Sequence, residues 1–341
     1  MNTSIKSLSL SQFHDVIEEA HLPAYRGNQI LSWIYSKGIS SYDEMTNVPK
    51  AVREQFSDFY PLNPLELVER LESSDGSRKY LIRCFDGAVI ESVGLPSPDG
   101  RLTVCISSQS GCSMGCIFCA TGKSGLTRSL QPGELVDQVL LVQKDFGKRV
   151  TNVVVMGQGE PFSNYESVLA GLRILNHQKL LAIGARHITV STCGILSGIS
   201  KLSDEPEQFT LAVSLHAARQ NIRDKLIPSM KSQPLDKLKS SLVAYAEATG
   251  RRFSFEYALM KGLNDSQADL EALIDYSRGM LCHVNLIPLN KIDDSPIQPV
   301  SKHTMNFWND ELGKAGIACS IRKSRGSDIA AACGQLAAKH R

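Results

Sequence analysis

From about residue 102 onward, short apolar segments rich in β-branched residues alternate with longer amphipathic segments. The apolar segments are 104–106, 153–156, 188–190, 211–214, 253–257 and 284–287. The amphipathic segments are 134–144, 165–176, 235–247, 266–277 and 303–314. Six strand–helix units of this kind predict an α/β fold whose parallel sheet curves into an incomplete (βα)6 barrel. The active site of such a barrel forms at the carboxyl ends of its strands.

The first hundred residues follow a different pattern. Apolar residues at helical spacing come first, and from about residue 65 the spacing changes to two. The β-like segments are 67–71, 79–84, 89–93 and 102–107, and Asp-Gly pairs between them are typical of hairpin turns. The sequence therefore predicts a small α+β domain at 1–100, followed at 101–341 by the barrel core with a C-terminal extension.

Composition narrows the class of protein. The 341 residues are 42% hydrophobic and 21% charged, which is ordinary for a globular protein and excludes a disordered chain, a coiled coil or a collagen-like fibre. No segment approaches the roughly 18 apolar residues of a membrane span, and residues 1–15 lack the pattern of a secretory signal. The nine cysteines, an odd number, favour a reducing compartment over a disulfide framework. We therefore expect a cytoplasmic protein without a membrane partner.

Three cysteines lie within eight residues, just after the first predicted barrel strand. Cys112, Cys116 and Cys119 have the spacing C-x3-C-x2-C. Three thiolates on one loop can hold three corners of a cubane [4Fe–4S] cluster, and the fourth iron can then bind a small molecule. A zinc site usually takes four ligands in two pairs, and no second pair follows. The spacing favours the cluster and leaves zinc, or unpaired core cysteines, as alternatives.

This spacing resembles the cluster motif of radical S-adenosylmethionine (SAM) enzymes, and more of the chain resembles one branch of them, the RlmN/Cfr family of adenosine methyltransferases. The segments that carry this resemblance are CISSQSGC at 105–112, MGQGEPFSN at 156–164, SLHA at 214–217, NLIPLN at 285–290 and RKSRGSDIAAACGQL at 322–336. Nearly the whole chain is covered. The last segment is the most specific, because an ordinary radical SAM enzyme has no reason to contain it.

The resemblance implies the residues that bind the cofactors. Cys112, Cys116 and Cys119 would ligate one [4Fe–4S] cluster. Two molecules of SAM per turnover would serve as methyl donor and as source of a 5′-deoxyadenosyl radical. The residues implied to bind SAM are Gly159, Glu160, Ser191, Ser214, Leu215, His216 and Asn290. Taken singly, most of these polar residues are also explained as satisfied groups at the rim of a barrel.

The resemblance also implies three catalytic residues. Cys333 would carry the methyl group as S-methylcysteine and form a covalent adduct with the RNA. Cys105 would be the resolving thiol, which releases the product by forming a transient disulfide with Cys333. Glu91 would accept a proton, and as an inward-facing carboxylate it is out of pattern in its alternating segment. On the residues alone, two buried core thiols and a solvent-facing glutamate remain open as alternatives.

The implied reaction is methylation of C2 of adenosine 2503 in 23S rRNA and of C2 of adenosine 37 in tRNAs. We expect these RNAs as partners, together with an electron donor such as flavodoxin or ferredoxin, and a monomeric enzyme. The domain at 1–100 would dock the RNA. Basic residues that can contact phosphates are Arg26, Lys50, Arg53, Arg322, Lys323 and Arg325.

Three other functions stay open at this point. The nearest is methylation of C8 of the same rRNA adenosine, as in the Cfr branch. A radical SAM enzyme with another substrate would keep the cysteine triplet and would not need Cys333. A zinc-stabilised RNA-binding protein without catalysis would need neither Cys333 nor Cys105.

Overall fold

The computed structural model describes residues 4–292 and 295–337. Its N-terminal region contains the helices α1 (Leu10–Glu19), α2 (Ala24–Leu31) and α3 (Lys50–Phe59). Their apolar faces belong to the same continuous core as the barrel. The ammonium of Lys6 forms a buried ion pair of 2.6 Å with Asp137 of the first long barrel helix. The helical region is therefore packed onto the barrel.

Twelve strands form within the described residues. They are β1 (Glu66–Glu72), β2 (Arg78–Arg83), β3 (Val89–Pro96), β4 (Leu102–Cys105), β5 (Gln109–Gly111), β6 (Leu126–Ser129), β7 (Asn152–Val155), β8 (Ile188–Thr192), β9 (Thr210–Ser214), β10 (Phe253–Leu259), β11 (Cys282–Pro288) and β12 (Cys319–Ile321). Ten belong to one sheet in the order β1-β2-β3-β4-β7-β8-β9-β10-β11-β12, and β5 pairs with β6 in a small sheet of their own.

The large sheet has an antiparallel and a parallel part. Strands β1 to β4 pair antiparallel, and from β4 to β12 every pairing is parallel. The six predicted barrel strands are confirmed as β4 and β7 to β11. The structure adds β12, whose three residues are too few to show a sequence pattern. The sheet crosses residue 100 without a break, because β3 pairs with β4.

Helices follow most of the parallel strands. They are α4 (Ala120–Ser124), α5 (Pro132–Phe146), α6 (Tyr165–Asn176), α7 (Leu196–Asp204), α8 (Gln220–Leu226), α9 (Leu235–Thr249), α10 (Gln267–Ser277) and α11 (Lys302–Lys314). The five predicted helices are confirmed as α5, α6, α9, α10 and α11. The sequence analysis missed α4, α7 and α8. In α7, Gly198 lies against Phe162, where a Cβ would come within 2.4 Å of the ring.

The two faces of the parallel strands differ in polarity. In β8, Ile188 and Val190 are buried under the helices, whereas Thr189 and Ser191 are half-buried and line the barrel interior. The alternation leaves polar side chains inside the barrel, where a reaction can use them. No helix in the described part of the chain combines the length and the apolar character needed to cross a bilayer.

Candidate active site

A cavity of about 240 Å³ lies at the carboxyl ends of the parallel strands. Of the predicted site residues, the cavity is lined by Cys105, Cys112, Cys116, Cys119, Gly159, Glu160, Ser191, Ser214, His216, Asn290 and Cys333. The exceptions among the described residues are Leu215 and Glu91. Side chains that are up to 228 positions apart in the sequence thus meet at one place, as the predicted barrel requires.

The three cysteines of the triplet lie on the loop between β5 and α4. The loop is fastened to the barrel, because the backbone N–H of Ile117 donates to the Leu226 carbonyl at 3.1 Å. The Ser229 hydroxyl also contacts the carbonyl oxygens of Ser113 and Met114, each at 2.9 Å. Gly122 is required behind the loop, since a Cβ there would lie 2.8 Å from the Cys116 carbonyl oxygen. The loop is therefore held by the fold on both sides.

The donor set of this loop fits an iron–sulfur cluster. Burial raises the pKa of the Cys112 thiol to about 12 and also raises that of Cys119. Metal binding displaces such protons and leaves thiolates. No three histidine, cysteine or carboxylate side chains of the described residues converge closely enough to hold one metal ion. A cubane cluster instead binds each thiolate at a separate iron, and three thiols around one cavity match that arrangement.

The loop after β7 packs tightly against the start of the cysteine segment. Gly159 has φ +103°, and a Cβ there would lie 2.6 Å from the Gln109 side chain. The carboxylate of Glu160 is almost fully buried and accepts the backbone N–H groups of Cys193 at 2.6 Å and Phe162 at 3.0 Å. Burial raises the pKa of Glu160, and these hydrogen bonds oppose the rise. The carboxylate is thus fixed at the cavity wall.

Polar groups at the ends of β8 and β9 form another part of the wall. The hydroxyls of Ser191 and Ser214 are 3.4 Å apart. Nδ1 of His216 accepts the backbone N–H of Ala258 at 3.0 Å, and burial lowers the pKa of this imidazole to about 3. His216 is therefore neutral, with its proton on Nε2. Leu215 is fully buried, and its backbone N–H and carbonyl already have partners within the fold.

Cys105 and Cys333 line the same cavity from different elements. Cys105 ends β4, and Cys333 lies on the C-terminal segment, defined here as residues 331–337. Burial is the main cause and the neighbouring Cys333 the second cause that raise the pKa of Cys105 to about 12. Cys333 is open to the cavity but surrounded by protein, which raises its pKa, and Arg322 opposes that rise. Neither thiol is in a disulfide.

A few hydrogen bonds hold the C-terminal segment over the cysteine loop. The backbone N–H of Ala120 donates to the Gly334 carbonyl at 2.7 Å, and the Thr121 hydroxyl donates to the Leu336 carbonyl at 2.6 Å. The Asn290 amide donates to the carbonyl of Cys333 at 3.2 Å. The segment therefore covers one side of the cavity, where it presents the Cys333 thiol.

Glu91 lies behind this segment. It is buried in β3, forms an ion pair of 3.0 Å with Lys79 and accepts the backbone N–H of Ala337 at 2.6 Å. This burial excludes the solvent-facing alternative that the sequence left open. Leu336, the residue that precedes Ala337 in the sequence, lines the cavity. The C-terminal segment thus lies between this carboxylate and the cavity.

The basic residues predicted to face RNA differ in their surroundings. Arg322 lines the barrel interior, where its guanidinium forms an ion pair of 3.2 Å with Glu256. Arg325 pairs with Asp75 at 2.9 Å at the surface. The sequence analysis missed Glu256, although a carboxylate in the middle of a predicted strand is a detectable signal. It also missed Cys193 and Arg223, which contact each other beside the cavity.

Comparisons with known proteins agree with this site. The family model described as Radical SAM superfamily matches residues 106–275, and the Ribosomal RNA large subunit methyltransferase N-terminal domain matches residues 3–60. A probable dual-specificity RNA methyltransferase RlmN of Synechococcus sp. is 46% identical over an alignment of 342 positions that covers 98% of this chain and 96% of that relative. The chain belongs to the RlmN family.

Further relatives and a solved structure extend the match. The RlmN protein of Alkaliphilus oremlandii is 43% identical over 335 residues, which cover 98% of this chain and 97% of the relative. The crystal structure of a radical SAM methyltransferase from Sphaerobacter thermophilus has a TM-score of 0.95 at 43% identity, covering 99% of this chain and 100% of that chain. RlmN proteins are radical SAM RNA methyltransferases, and this chain is an enzyme of that class.

Membership in the RlmN family decides which cofactors the protein uses and to which class of protein it belongs. The cofactors are a [4Fe–4S] cluster and SAM, as predicted. A zinc-stabilised binding protein and a radical SAM enzyme without an RNA substrate do not agree with membership in this family. RNA is the class of substrate.

Proposed function

We propose that this enzyme methylates C2 of adenosine 2503 in 23S rRNA and C2 of adenosine 37 in tRNAs, through an S-methylcysteine at Cys333 and a covalent protein–RNA adduct. The observation that supports this most is that Cys105 and Cys333 line one cavity with the three-cysteine loop. The relatives named as dual-specificity RNA methyltransferases support two RNA substrates. Those RNAs are cytoplasmic, and the enzyme would act there.

The cysteine loop and the strand ends would hold the cofactors. Cys112, Cys116 and Cys119 are the proposed cluster ligands. Residues proposed to bind SAM are Gly159, Glu160, Ser191, Ser214, Leu215, His216 and Asn290. When bound, the cluster and SAM supply a methyl group and a hydrogen-abstracting radical.

Cys333 is the proposed methyl acceptor. A thiolate is the nucleophile in such a transfer, and Arg322 favours that charged form against the effect of burial. Asn290 fixes the backbone of Cys333 through its carbonyl. The adenine carbon C2 is electrophilic and has no lone pair to attack an ordinary methyl donor, so a carbon radical on the cysteine is a suitable reagent.

Cys105 and Glu91 would complete the reaction. The adduct would return one electron to the bound cluster, and Glu91 would remove the ring proton. Cys105 would then attack the Cys333 sulfur to form a disulfide, and the released methylene carbon would take a proton to give the methylated base. Because the C-terminal segment lies in front of Glu91, this segment must shift when RNA binds. The N-terminal helices, which share the hydrophobic core of the barrel, are proposed to dock the RNA. An electron donor such as flavodoxin or ferredoxin is also proposed.

The test uses anaerobically reconstituted enzyme, reductant, SAM with a CD₃ methyl group, and protein-free 23S rRNA and tRNA that lack the modification. Digestion and mass spectrometry should give 2-methyladenosine that retains two deuterium atoms from the donor. An 8-methyladenosine product would retain the thiol mechanism and overturn the C2 assignment. Absence of methylated adenosine from both RNAs, despite an intact cluster and SAM cleavage, would overturn the proposed substrates.

A further inference from the structure

Arg223 is a fully buried arginine beside the cavity, and the steps proposed above do not use it. It lies in α8 and is 0% exposed. Its Nη2 donates to the backbone carbonyl of Cys193. Its Nε and Nη1 are buried and have no hydrogen-bond partner among the residues that the structure describes. Within the same residues, its guanidinium forms no ion pair with a carboxylate.

An unpaired guanidinium inside a protein is costly. Removing a cation from water without a counter-ion is unfavourable, and burial accordingly lowers the pKa of Arg223. Removing a hydrogen-bond partner from a buried donor adds the full desolvation cost of that donor. Two such nitrogens on one side chain indicate that an anionic group outside the polypeptide compensates the charge.

The neighbours of Arg223 locate that anion. Cys193 lines the cavity and accepts the Arg223 hydrogen bond through its carbonyl, and its side chain packs in the same apolar cluster as Cys116. Arg223 interacts electrostatically with both Cys193 and Cys116. On the opposite side of the cavity, Cys333 instead has Arg322 as its cationic neighbour. Arg223 therefore lies on the Cys116 side.

We propose that Arg223 is the counter-charge of the iron–sulfur cluster: its guanidinium, held at the Cys193 carbonyl on the Cys116 side of the cavity, makes the cluster easier to reduce. The proposal rests on the assignment of Cys116 as a cluster ligand under the proposed function. A cluster held by three thiolates gains a further negative charge when it accepts an electron. A fixed cation a few ångströms away stabilises that added charge more in a protein interior than in water. Charge and burial are among the factors that set cluster potentials.

The test compares three variants of the anaerobically reconstituted full chain without SAM. Arg223→Gln removes the charge, and Arg223→Lys retains it. Arg219→Gln is the matched control, because Arg219 immediately precedes α8, loses the same charge and pairs with Asp269 at 3.2 Å instead of facing the cavity. Iron and sulfide are measured first. The ratio of reduced to oxidised cluster is then followed by electron paramagnetic resonance in a redox titration.

At a fixed solution potential, Arg223→Gln should lower the ratio of reduced to oxidised cluster by about tenfold or more. Arg223→Lys and Arg219→Gln should stay within about threefold of the wild type. An unchanged ratio in Arg223→Gln with full iron content would overturn the proposal. In a separate equilibrium titration with SAM, weaker binding by Arg223→Gln together with an unchanged ratio would also overturn it, because the anion would then be the carboxylate of SAM.

If Arg223→Gln does not assemble a cluster, the Arg223→Lys variant tests the role of the charge instead. A full iron content with a ratio near the wild type supports the charge role, and a strongly lowered ratio overturns it. Failure of the ligand assignment has a separate readout: Cys116→Ala would then retain a full complement of iron and sulfide. The two failures are thus distinguishable.

Discussion

The cysteine loop and the C-terminal segment line the same cavity but are held differently. The loop at 112–119 is fastened to the barrel through Leu226 and Ser229, and its residues Cys112, Met114 and Cys116 are buried. The C-terminal segment rests on the loop through a few hydrogen bonds, and Gly334 in its middle has positive φ, as does Ala330 just before it. A cofactor must be held still, whereas a thiol that bonds to an RNA base must approach and leave it. The difference matches these two tasks.

The largest expected effect comes from removing a ligand on the fixed side. Cys112→Ala should reduce the iron and sulfide content after reconstitution to about a tenth or less, because two remaining thiolates hold a cubane poorly. Cys319→Ala is the control, since Cys319 is half-buried in β12 and does not line the cavity. Full iron and sulfide in Cys112→Ala would contradict the ligand assignment.

Removing the resolving thiol should stop the reaction after the bond to Cys333 has formed. Cys105→Ala should still form the S-methylcysteine and then halt after about one turnover, with RNA attached to the protein. A gel shift that resists denaturation, together with product counting, measures this. Cys84→Ala serves as the control because Cys84 is buried away from the cavity. Normal turnover in Cys105→Ala would contradict the proposal that Cys105 is the resolving thiol.

The charge state of Cys333 predicts a pH dependence. Its pKa is raised above the ordinary value, so the reactive thiolate is a minor form near neutral pH. Formation of S-methylcysteine without RNA should therefore accelerate about tenfold per pH unit between pH 7 and 9. Arg322→Gln should slow it at each pH, since Arg322 favours the thiolate. Peptide mass spectrometry gives the rate, and a rate independent of pH would contradict the thiolate step.

The smallest effect concerns the contact between the two regions. Thr121→Val removes the hydroxyl that donates to the Leu336 carbonyl. Losing one such bond is worth about 1 kcal/mol, so amide hydrogen exchange of residues 331–337 should accelerate about fivefold. Iron content should not change. Ser203→Ala, which loses an exposed hydroxyl bond of 2.6 Å far from the cavity, should leave this exchange unaltered.

Local patterns predicted the framework well. Apolar periodicity identified six parallel strands and five helices, because each is a repeat within one short segment. Cysteine spacing identified the cofactor loop for the same reason. β12 was missed because it has only three residues, and α8 because its seven residues form too short an amphipathic pattern.

Contacts between segments that are distant in the sequence could not be predicted from sequence patterns. Arg322 was predicted to face RNA, but the fold brings it to Glu256, 66 positions away. Arg223 and Cys193 meet across 30 positions, and neither shows a local motif. The position of Glu91 behind the C-terminal segment likewise depends on how residues 331–337 pack. Such contacts are fixed by tertiary packing and have no periodic signature.

The most direct measurement identifies the covalent bond between Cys333 and the RNA, which is proposed to form in the cavity that the cysteine loop and the C-terminal segment line. Anaerobic Cys105→Ala enzyme would be incubated with SAM, reductant and unmodified 23S rRNA, then digested with protease and nuclease and sequenced by tandem mass spectrometry. The expected species is a peptide with adenosine joined through a methylene to the sulfur of Cys333. An adduct on another residue, or S-methylated Cys333 that never becomes attached to RNA, would contradict the role proposed for the C-terminal thiol.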